Sequence, residues 1–199
     1  MNDNIEAFLK VLDSDDNTTG GGTASAVAGA MAGALVAMVA RLSIGKDGME
    51  PDCFYEKFVT EAQTISGELF DGGHADSQAF LAVLASFKLP KQTDEEKATR
   101  RKVIQDVWVN AARVPLTNAE RCARVLKMGL QLRGRSYPDA ASDLECGMLL
   151  ARAGLLGCLE NVQINLPSIK DPDVAASLTD SVYALREFAA ANDTSLLPR

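Results

Sequence analysis

The sequence predicts an all-α protein, a single-domain antiparallel helical bundle of about six or seven helices with two apolar central helices. Apolar residues recur at the three- and four-residue spacing of amphipathic helices, and no segment alternates as a strand does. The segments Thr23–Ala40 and Leu144–Leu166 are apolar on most sides, as expected of helices inside a bundle. The turn segments are short, which favours antiparallel neighbours.

Length and composition are those of a soluble globular chain. The 199 residues suit one domain, residues 1–199, and 47% of them are hydrophobic and 24% charged. The net charge of −7 argues against general nucleic-acid binding. Because there is one histidine and no C-x-x-C pair, we expect no metal site. The four cysteines have apolar neighbours, which predicts free, buried thiols in a reducing cytoplasm: Cys53, Cys122, Cys146 and Cys158.

The first central helix carries a stripe of small residues. Ser25, Gly29, Gly33 and Ala37 recur every four residues and so share one face. A second helix can approach this face closely, either within the chain or from a second copy. The motif Gly29-x-x-x-Gly33 also occurs in pairs of membrane helices. Because Ala, Gly, Ser and Thr contribute little insertion energy and the N-terminus lacks a basic signal region, we predict a buried helix and no membrane span.

The residues before the first central helix predict a short amphipathic helix followed by a loop. The loop Asp13–Gly22 delivers Gly20, Gly21 and Gly22 to the start of the central helix. Unpaired N–H groups there carry the positive end of the helix dipole, so the glycines either cradle an anionic or carbonyl group or form a flexible cap. The short helix rests on the spacing of Ile5, Phe8, Leu9 and Leu12.

The next helix starts near Pro51, and Asp71–His74 is expected to interrupt or kink it. Asp76 lies four residues before Phe80, on the face that turns to the core. A carboxylate there is paired, caps the resumed helix or takes part in chemistry, and without a partner burial raises its pKa. We predict that His74 is a surface turn residue, with a proton shuttle as the alternative.

A capping box of Thr93 and Glu96 predicts the start of another helix. Pro115, within Val114–Leu116, predicts that this helix ends and a further one begins. Lysines and arginines cluster within Lys91–Lys102. They form either a solvated face with intrahelical ion pairs or a binding surface for a polyanionic ligand tail.

The second central helix begins with a capping box of Ser142 and Glu145 and ends at Pro167, and Asp171 caps the last helix. Asn161 and Asn165 share one face of the second central helix, and buried amides need partners. The residues alone therefore predict a polar cluster as the candidate site: Gly20, Gly21, Gly22, Asp76, Asp143, Asn161 and Asn165.

Several spaced blocks carry a family resemblance over residues 5 to 190. They are the glycine-led central helix ending in IGK, then DSQAF, LPK-x-TDEEK, VPL, SDL and NV-x-INL-x-x-IKD. The chain thereby resembles the cyclodeaminase/cyclohydrolase family, the C-terminal half of formiminotransferase-cyclodeaminase and the stand-alone methenyltetrahydrofolate cyclohydrolase. The resemblance implies a helical, cytoplasmic, homodimeric enzyme of one-carbon tetrahydrofolates, here in the free-standing form, with no cofactor beyond the folate substrate.

The resemblance also implies roles for individual residues. Asp76 is the catalytic residue, and the substrate-binding positions are Gly20, Gly21, Gly22, Lys46, Asp143, Asn161 and Asn165. The chain departs from the family pattern at Thr19, Arg41 and Arg135–Pro138. The implied activity is cyclohydrolase, with formiminotetrahydrofolate cyclodeaminase or a non-catalytic helical scaffold as alternatives.

Overall fold

The computed structural model describes residues 19–193, which form helices and no strand, so the all-α prediction is confirmed. Two short 3₁₀ turns, Pro138–Ala140 and Leu166–Ser168, flank the fourth helix. The short helix expected at Ile5–Leu12 lies outside the described residues. The α-helices are α1 (Gly21–Ser43), α2 (Asp52–Ser86), α3 (Asp94–Leu132), α4 (Ala141–Asn165) and α5 (Pro172–Ala191).

Helix α1 packs between α2 and α4, and both neighbours run antiparallel to it. Along α2, Gly73 lies against Thr23 and Ala62 against Gly33. Along α4, Gly157 lies beside Ser25, and Gly147 contacts residues near the middle of α1. Helix α3 packs against α2 and α4 across the core, and α5 packs against α3 and α4. The largest fully buried side chains include Tyr55, Leu69, Leu126, Leu132, Leu144, Met148, Leu155 and Leu159.

The small residues of α1 bring backbones together within the chain. A Cβ atom at Gly33 would lie 3.0 Å from the Ala62 carbonyl oxygen on α2. Beside this contact, the Ser66 hydroxyl donates a hydrogen bond of 2.7 Å to the Ala30 carbonyl. On the other side, a Cβ atom at Gly154 of α4 would lie 2.7 Å from the Ser25 carbonyl. The stripe therefore serves packing within the chain, one of the two alternatives.

The opposite face of α1 is exposed, so the prediction of a helix buried on all sides is wrong. Met31 is 56% exposed and Leu42 is 44% exposed. This face is exposed because the small residues on the other side of the helix make the contacts with α2 and α4. The residues on the exposed face recur at alternating intervals of four and three, as in a coiled-coil seam. We call this row the α1 seam: Ala24, Ala28, Met31, Leu35, Met38 and Leu42. Among residues 19–193, α1 alone has the length and hydropathy of a membrane span, and half of its most apolar window is buried.

Helix α2 runs unbroken through Gly72 and Gly73, so the predicted interruption is absent. Both glycines are buried against other helices. Asn118 of α3 occupies the space where a Gly72 side chain would stand and donates a hydrogen bond of 3.1 Å to the Gly72 carbonyl. These glycines therefore admit neighbouring side chains instead of making a turn. His74 is exposed, as predicted, but it lies within the helix.

Helix α3 also continues where a new start was predicted, with Pro115 inside it. Proline has no N–H to bond the carbonyl four residues earlier, which here belongs to Ala111. The Asn165 side chain of α4 donates to that carbonyl at 2.9 Å. The lost helical bond is thus replaced across the bundle. The Thr93–Glu96 capping box is present at the start of α3 and is confirmed.

The capping box predicted at Ser142 and Glu145 is absent. Helix α4 begins at Ala141, and no side chain caps its first turn. Glu145 instead accepts hydrogen bonds from Arg133 at the end of α3, the Nε bond measuring 2.7 Å. An ion pair between two helices has therefore replaced the local cap. Asp171 does cap α5, accepting from the N–H groups of the next turn, as predicted.

The four cysteines are free, as predicted, but only two of them are buried. Cys53 and Cys146 are exposed, because they lie on the outer faces of α2 and α4. Cys122 and Cys158 are buried together in the core. A hydrogen bond with Cys122, together with burial, raises the pKa of the Cys158 thiol, so it stays protonated at neutral pH.

The contact between α1 and α4 predicts the effect of a single methyl group. Gly154→Ala places Cβ 2.7 Å from the Ser25 carbonyl and 3.0 Å from the Gly29 nitrogen, and these backbone atoms cannot rotate away. We expect a loss of about 1–3 kcal/mol in the free energy of unfolding, measured in urea. Gly67→Ala is the control, since its Cβ meets open space and should stabilise the protein by about 0.4–1 kcal/mol. Equal stability of the two variants would contradict this packing.

Candidate functional site

A pocket of about 340 Å³ lies at the end of the bundle where α1 begins. The second half of α2, the middle of α3 and the last turns of α4 form its walls. Its polar lining consists of Gly20, Gly22, Asp76, Asn161 and Asn165. Its apolar lining consists of Ala79, Phe80, Val83, Trp108, Ala111 and Ile164. The fold thus brings together most of the polar cluster expected from the sequence.

Asp76 is half-buried on α2 and points at the first turn of α1. Its carboxylate accepts a hydrogen bond from the backbone N–H of Thr23. Burial raises the pKa of Asp76 above its usual value of 3.8, and the Thr23 N–H offsets part of that shift. Asp76 therefore does not cap its own helix, which is continuous, but the helix packed beside it.

The close approach of Asp76 depends on Gly22. A Cβ atom at Gly22 would lie 2.6 Å from the Asp76 Cγ atom, which is too close for any other residue type. Thr23 fixes the two helices next to this contact, since its hydroxyl donates to the Gly73 carbonyl at 3.1 Å and lies 3.0 Å from the Ser77 hydroxyl. The position of the carboxylate is therefore set by backbone packing and a short polar bridge.

The first turn of α1 has N–H groups without a cap from its own helix. Gly20 stands at the N-cap position and offers no side-chain acceptor. The N–H groups of Gly21 and Gly22 have no acceptor four residues back within the helix and carry the positive end of its dipole. They lie at the edge of the pocket that holds the Asp76 carboxylate. The glycine segment thus lies at the pocket, and its binding of an anionic or carbonyl group stays a prediction.

Asn161 and Asn165 are held by their amide nitrogens. Nδ2 of Asn161 donates to the Gly157 carbonyl at 2.9 Å, and Nδ2 of Asn165 donates to the carbonyls of Ala111 and Asn161 at 2.9 and 2.8 Å. Within residues 19–193, no hydrogen bond reaches either Oδ1 atom. Both side chains therefore keep an acceptor oxygen available at the pocket.

The pocket has an acidic and acceptor-rich lining. Its side chains include one carboxylate and two amides, and no lysine, arginine or histidine among the described residues lines it. No group of three histidine, cysteine, aspartate or glutamate side chains in the described part of the chain is arranged for a metal ion. Such a lining suits a group that carries positive charge and hydrogen-bond donors.

Two residues expected at the site lie at the other end of the bundle. Asp143 is in the first turn of α4, about 27 Å along the helix from Asn161, so its place in the expected polar cluster is wrong. Lys46 follows the C-terminal end of α1, a helix about 34 Å long that begins at the pocket. The Lys46 ammonium lies over the Tyr137 ring, 4.6 Å from its centroid. Neither side chain reaches the pocket of its own chain.

The basic cluster lies at the start of α3. Lys97 pairs with Asp94 at 3.0 Å, and Arg100 donates to the Phe87 carbonyl at 3.3 Å. The other basic side chains of the cluster are exposed. This arrangement agrees with the solvated face, the first of the two alternatives.

Sequence reasoning placed Phe80 on the core-facing side of its helix, whereas the structure places it in the pocket wall together with Trp108. Phe80 is 37% exposed, and Trp108 is only partly buried. The available signal was the spacing of Phe80 from Asp76, because residues four apart on a helix point the same way. In this chain the carboxylate of Asp76 and the ring of Phe80, on one face of α2, both line the pocket.

Comparisons with known proteins agree on one family. The family model described as formiminotransferase-cyclodeaminase matches residues 4–184. The chain is 38% identical to the methenyltetrahydrofolate cyclohydrolase of Methylorubrum extorquens over 85% of this chain and 82% of that protein. It is 30% identical to the formimidoyltransferase-cyclodeaminase of Gallus gallus over 93% of this chain, but spans only 34% of that relative.

A solved structure gives the same result. The crystal structure of formiminotetrahydrofolate cyclodeaminase from Thermotoga maritima superposes on this chain with a TM-score of 0.81. The two sequences are 25% identical, and the match covers 92% of this chain and 88% of the other. The helical bundle and its connections are therefore shared over almost the whole length of both chains.

The contact between Gly22 and Asp76 predicts a local steric effect. In Gly22→Ala the new methyl group displaces the carboxylate or the first turn of α1, and we expect a loss of about 1–3 kcal/mol in the free energy of unfolding. Gly21→Ala is the matched control, because its Cβ meets only the Asn161 Nδ2 atom at an ordinary 3.5 Å. Thermal and urea unfolding measure both variants. A Gly22→Ala protein as stable as Gly21→Ala would refute the contact.

Proposed function

The chain belongs to the formiminotransferase-cyclodeaminase family, and on that premise we propose that it is a methenyltetrahydrofolate cyclohydrolase. It is a one-carbon folate enzyme that adds water to 5,10-methenyltetrahydrofolate and forms 10-formyltetrahydrofolate. The observation that carries this proposal is the half-buried Asp76 carboxylate in a pocket with no basic side chain among the described residues. The methenyl group is an amidinium-like cation, which such a lining stabilises.

The first step is attack of water on the methenyl carbon. Asp76, ionised and next to the cation, takes one proton from the water as the carbon–oxygen bond forms. The product is a neutral carbinolamine with a tetrahedral carbon between N5 and N10. The free N–H groups of Gly21 and Gly22 are at the right end of α1 to stabilise the new oxygen.

The second step opens the five-membered ring. Asp76 returns its proton to N5 as the bond between N5 and the tetrahedral carbon breaks. The hydroxyl proton leaves to solvent, the carbonyl forms, and 10-formyltetrahydrofolate is released. A raised pKa of Asp76 favours this second role, because a carboxyl that accepts a proton more readily also holds it until the ring opens.

The remaining pocket residues orient the pterin end of the folate. The Oδ1 atoms of Asn161 and Asn165 accept hydrogen bonds from ring N–H and amino groups. Phe80 and Trp108 provide apolar surface for the flat ring system. In this proposal the donors of the substrate lie against the two amides, and its cationic carbon lies against Asp76.

The second candidate activity is formiminotetrahydrofolate cyclodeaminase. The Thermotoga maritima structure, with 92% of this chain matched, favours it as an alternative. In that reaction N10 attacks the formimino carbon and ammonia leaves, giving the same methenyl cation. Appearance of the methenyl absorbance band from 5-formiminotetrahydrofolate, without its accelerated loss in water, would identify this activity instead.

We further propose that the protein is a homodimer joined through the α1 seam. We place two antiparallel copies of α1 side by side so that their Gly33 residues lie at the same level. Met31 of one copy is then opposite Leu35 of the other, Ala28 is opposite Met38, and Ala24 is opposite Leu42. An antiparallel copy of the same helix therefore places a small residue opposite a large one in both outer layers. No charged residue occurs from Gly21 to Ala40, so the seam is suited to burial against a second copy.

Asp76→Asn tests the catalytic proposal. We expect a loss of about 10²–10⁴-fold in kcat, measured as the decay of the methenyl absorbance band above the buffer rate. In the native enzyme kcat/KM falls as pH drops through the pKa of Asp76, which lies above 3.8, because the protonated acid cannot take a proton from water. The variant should lack this acid limb. Full activity in a folded Asp76→Asn protein would exclude Asp76 as the proton acceptor, whereas a native protein without activity would favour the non-catalytic scaffold.

Met31→Glu tests the dimer. A carboxylate in the seam faces an apolar layer of the second copy, so we expect the dimer to dissociate to the 21.2 kDa chain in light scattering. Tyr183→Glu is the control, because Tyr183 is about as exposed as Met31, at 62% against 56%, but lies on α5. A native protein that scatters as a monomer, or a Met31→Glu protein that stays dimeric, would exclude this interface.

A further inference from the structure

Thr23 contacts the turn of α2 that carries Asp76 at three points. Its backbone N–H donates a hydrogen bond to the Asp76 carboxylate. Its hydroxyl donates to the Gly73 carbonyl at 3.1 Å and lies 3.0 Å from the Ser77 hydroxyl. Gly73 comes three residues before Asp76 and Ser77 one residue after it. The amide and the side chain of one residue of α1 therefore hold the same turn of α2.

The direction of the hydrogen bonds in this bridge follows from the number of protons. A threonine hydroxyl has one proton to donate, and the Gly73 carbonyl accepts it. The Ser77 hydroxyl must then be the donor in its contact with Thr23. The chain of hydroxyls runs from Ser77 to Thr23 and ends on a carbonyl, so neither proton is directed at the Asp76 carboxylate. The bridge acts on Asp76 through the Thr23 N–H.

The bond between Thr23 and Asp76 caps α1 from another helix. Thr23 is the third residue of α1, and the side chain of an N-cap residue usually accepts from that N–H. The N-cap residue here is Gly20, which has no side chain, and Asp76 of α2 takes its place. A cap from a second helix stays aligned while the two helices keep their register. The hydroxyl bonds of Thr23 fix that register at the capped turn.

We propose that Thr23 is a positioning residue for Asp76: its hydroxyl, together with Ser77, holds the first turn of α1 on α2, so that the Thr23 N–H stays on the carboxylate. Neither hydroxyl takes part in the chemical steps. This inference rests on the proposed cyclohydrolase activity and deepens it, because it identifies what sets the pH range in which Asp76 accepts a proton.

The bridge affects the pH dependence through the ionised form of Asp76. Burial raises the pKa of Asp76, and the Thr23 N–H lowers it because a donor stabilises the carboxylate. Without the hydroxyl bonds the first turn of α1 can move away from α2, and the N–H bond lengthens. The pKa of Asp76 then rises, and a larger fraction of the enzyme holds a protonated acid that cannot take a proton from water. The acid limb of kcat/KM therefore moves to higher pH.

The titratable groups around Asp76 do not obscure this effect. Helix α1 has no charged residue from Gly21 to Ala40, and α3 contributes Trp108 and Ala111 to the pocket. A hydrogen bond with Cys122, burial and the Asp76 charge all raise the pKa of the Cys158 thiol on α4, so it stays neutral in the acid range. On α2, His74 is exposed and lies two residues before Asp76, on another face of the helix.

Thr23→Val tests the proposal, because valine keeps the shape of threonine and the backbone N–H but lacks the hydroxyl. On the acid limb kcat/KM is proportional to the ionised fraction of Asp76, and we expect it to fall about threefold to tenfold. At the pH plateau kcat/KM should stay within about twofold of native. Thr23→Ser keeps the hydroxyl and should restore the native profile. Thr60→Val is the matched control, since its hydroxyl bonds the Glu56 carbonyl on the exposed side of α2.

A second readout follows Asp76 without any substrate. NMR of isotope-labelled aspartate carboxyl carbons records the titration of each group, and the Asp76 signal is the one missing from Asp76→Asn. We expect this signal to titrate at higher pH in Thr23→Val than in the native, Thr23→Ser and Thr60→Val proteins. Ser77→Ala removes the donor to Thr23 and should move the titration in the same direction by less. It provides the test if Thr23→Val does not fold.

The remaining outcomes overturn the proposal in distinguishable ways. Native titration of Asp76 in Thr23→Val, or in Ser77→Ala where Thr23→Val does not fold, refutes the positioning role and leaves the cyclohydrolase intact. Equal loss of kcat/KM at every pH with a native Asp76 titration refutes it too, because the hydroxyl then acts on the substrate. A native protein that does not consume 5,10-methenyltetrahydrofolate refutes the proposed function, and the NMR titration still decides whether Thr23 holds Asp76.

Discussion

The structure depends on how closely the backbone of α1 approaches its neighbours. Glycines on α1, α2 and α4 leave no room for side chains at the contacts with Ala62, Ser25 and Asn118. Dispersion contacts between backbones at such distances are dense, and they orient whole helices because backbone atoms cannot rotate away. The candidate pocket is a product of this packing, since Gly22 lets the carboxylate of one helix reach the first turn of another.

The features predicted correctly are those that local chemistry determines. The all-helical class, the central helix, the Thr93 capping box and the Asp171 cap all follow from spacing and from side chains a few residues apart. The site was predicted in part, because Asp76, Asn161 and the glycine segment do meet at one pocket. These residues are polar groups next to apolar stripes, and that pattern can be recognised in the sequence itself.

The features predicted wrongly are helix breaks and a cap whose outcome depends on a contact with a residue far away in the sequence. Gly72 reads as a break, but Asn118 fills the space beside it and α2 continues. Pro115 also reads as a break, but Asn165 satisfies the freed carbonyl. Glu145 fits a capping box, but Arg133 binds it. In each case a partner at least twelve residues away replaces a local interaction, and a single sequence does not reveal that partner.

Pro115 has a consequence for the readiness of the pocket to bind. By removing one donor from α3 it leaves the Ala111 carbonyl to Asn165, which is thereby locked in a single rotamer before any ligand arrives. Ordering such a side chain on binding costs about 0.5–1.5 kcal/mol in conformational entropy. Folding has already restricted this amide, so a ligand meets an acceptor that is preorganised. An apparent defect in one helix thus fixes the orientation of a polar side chain on another.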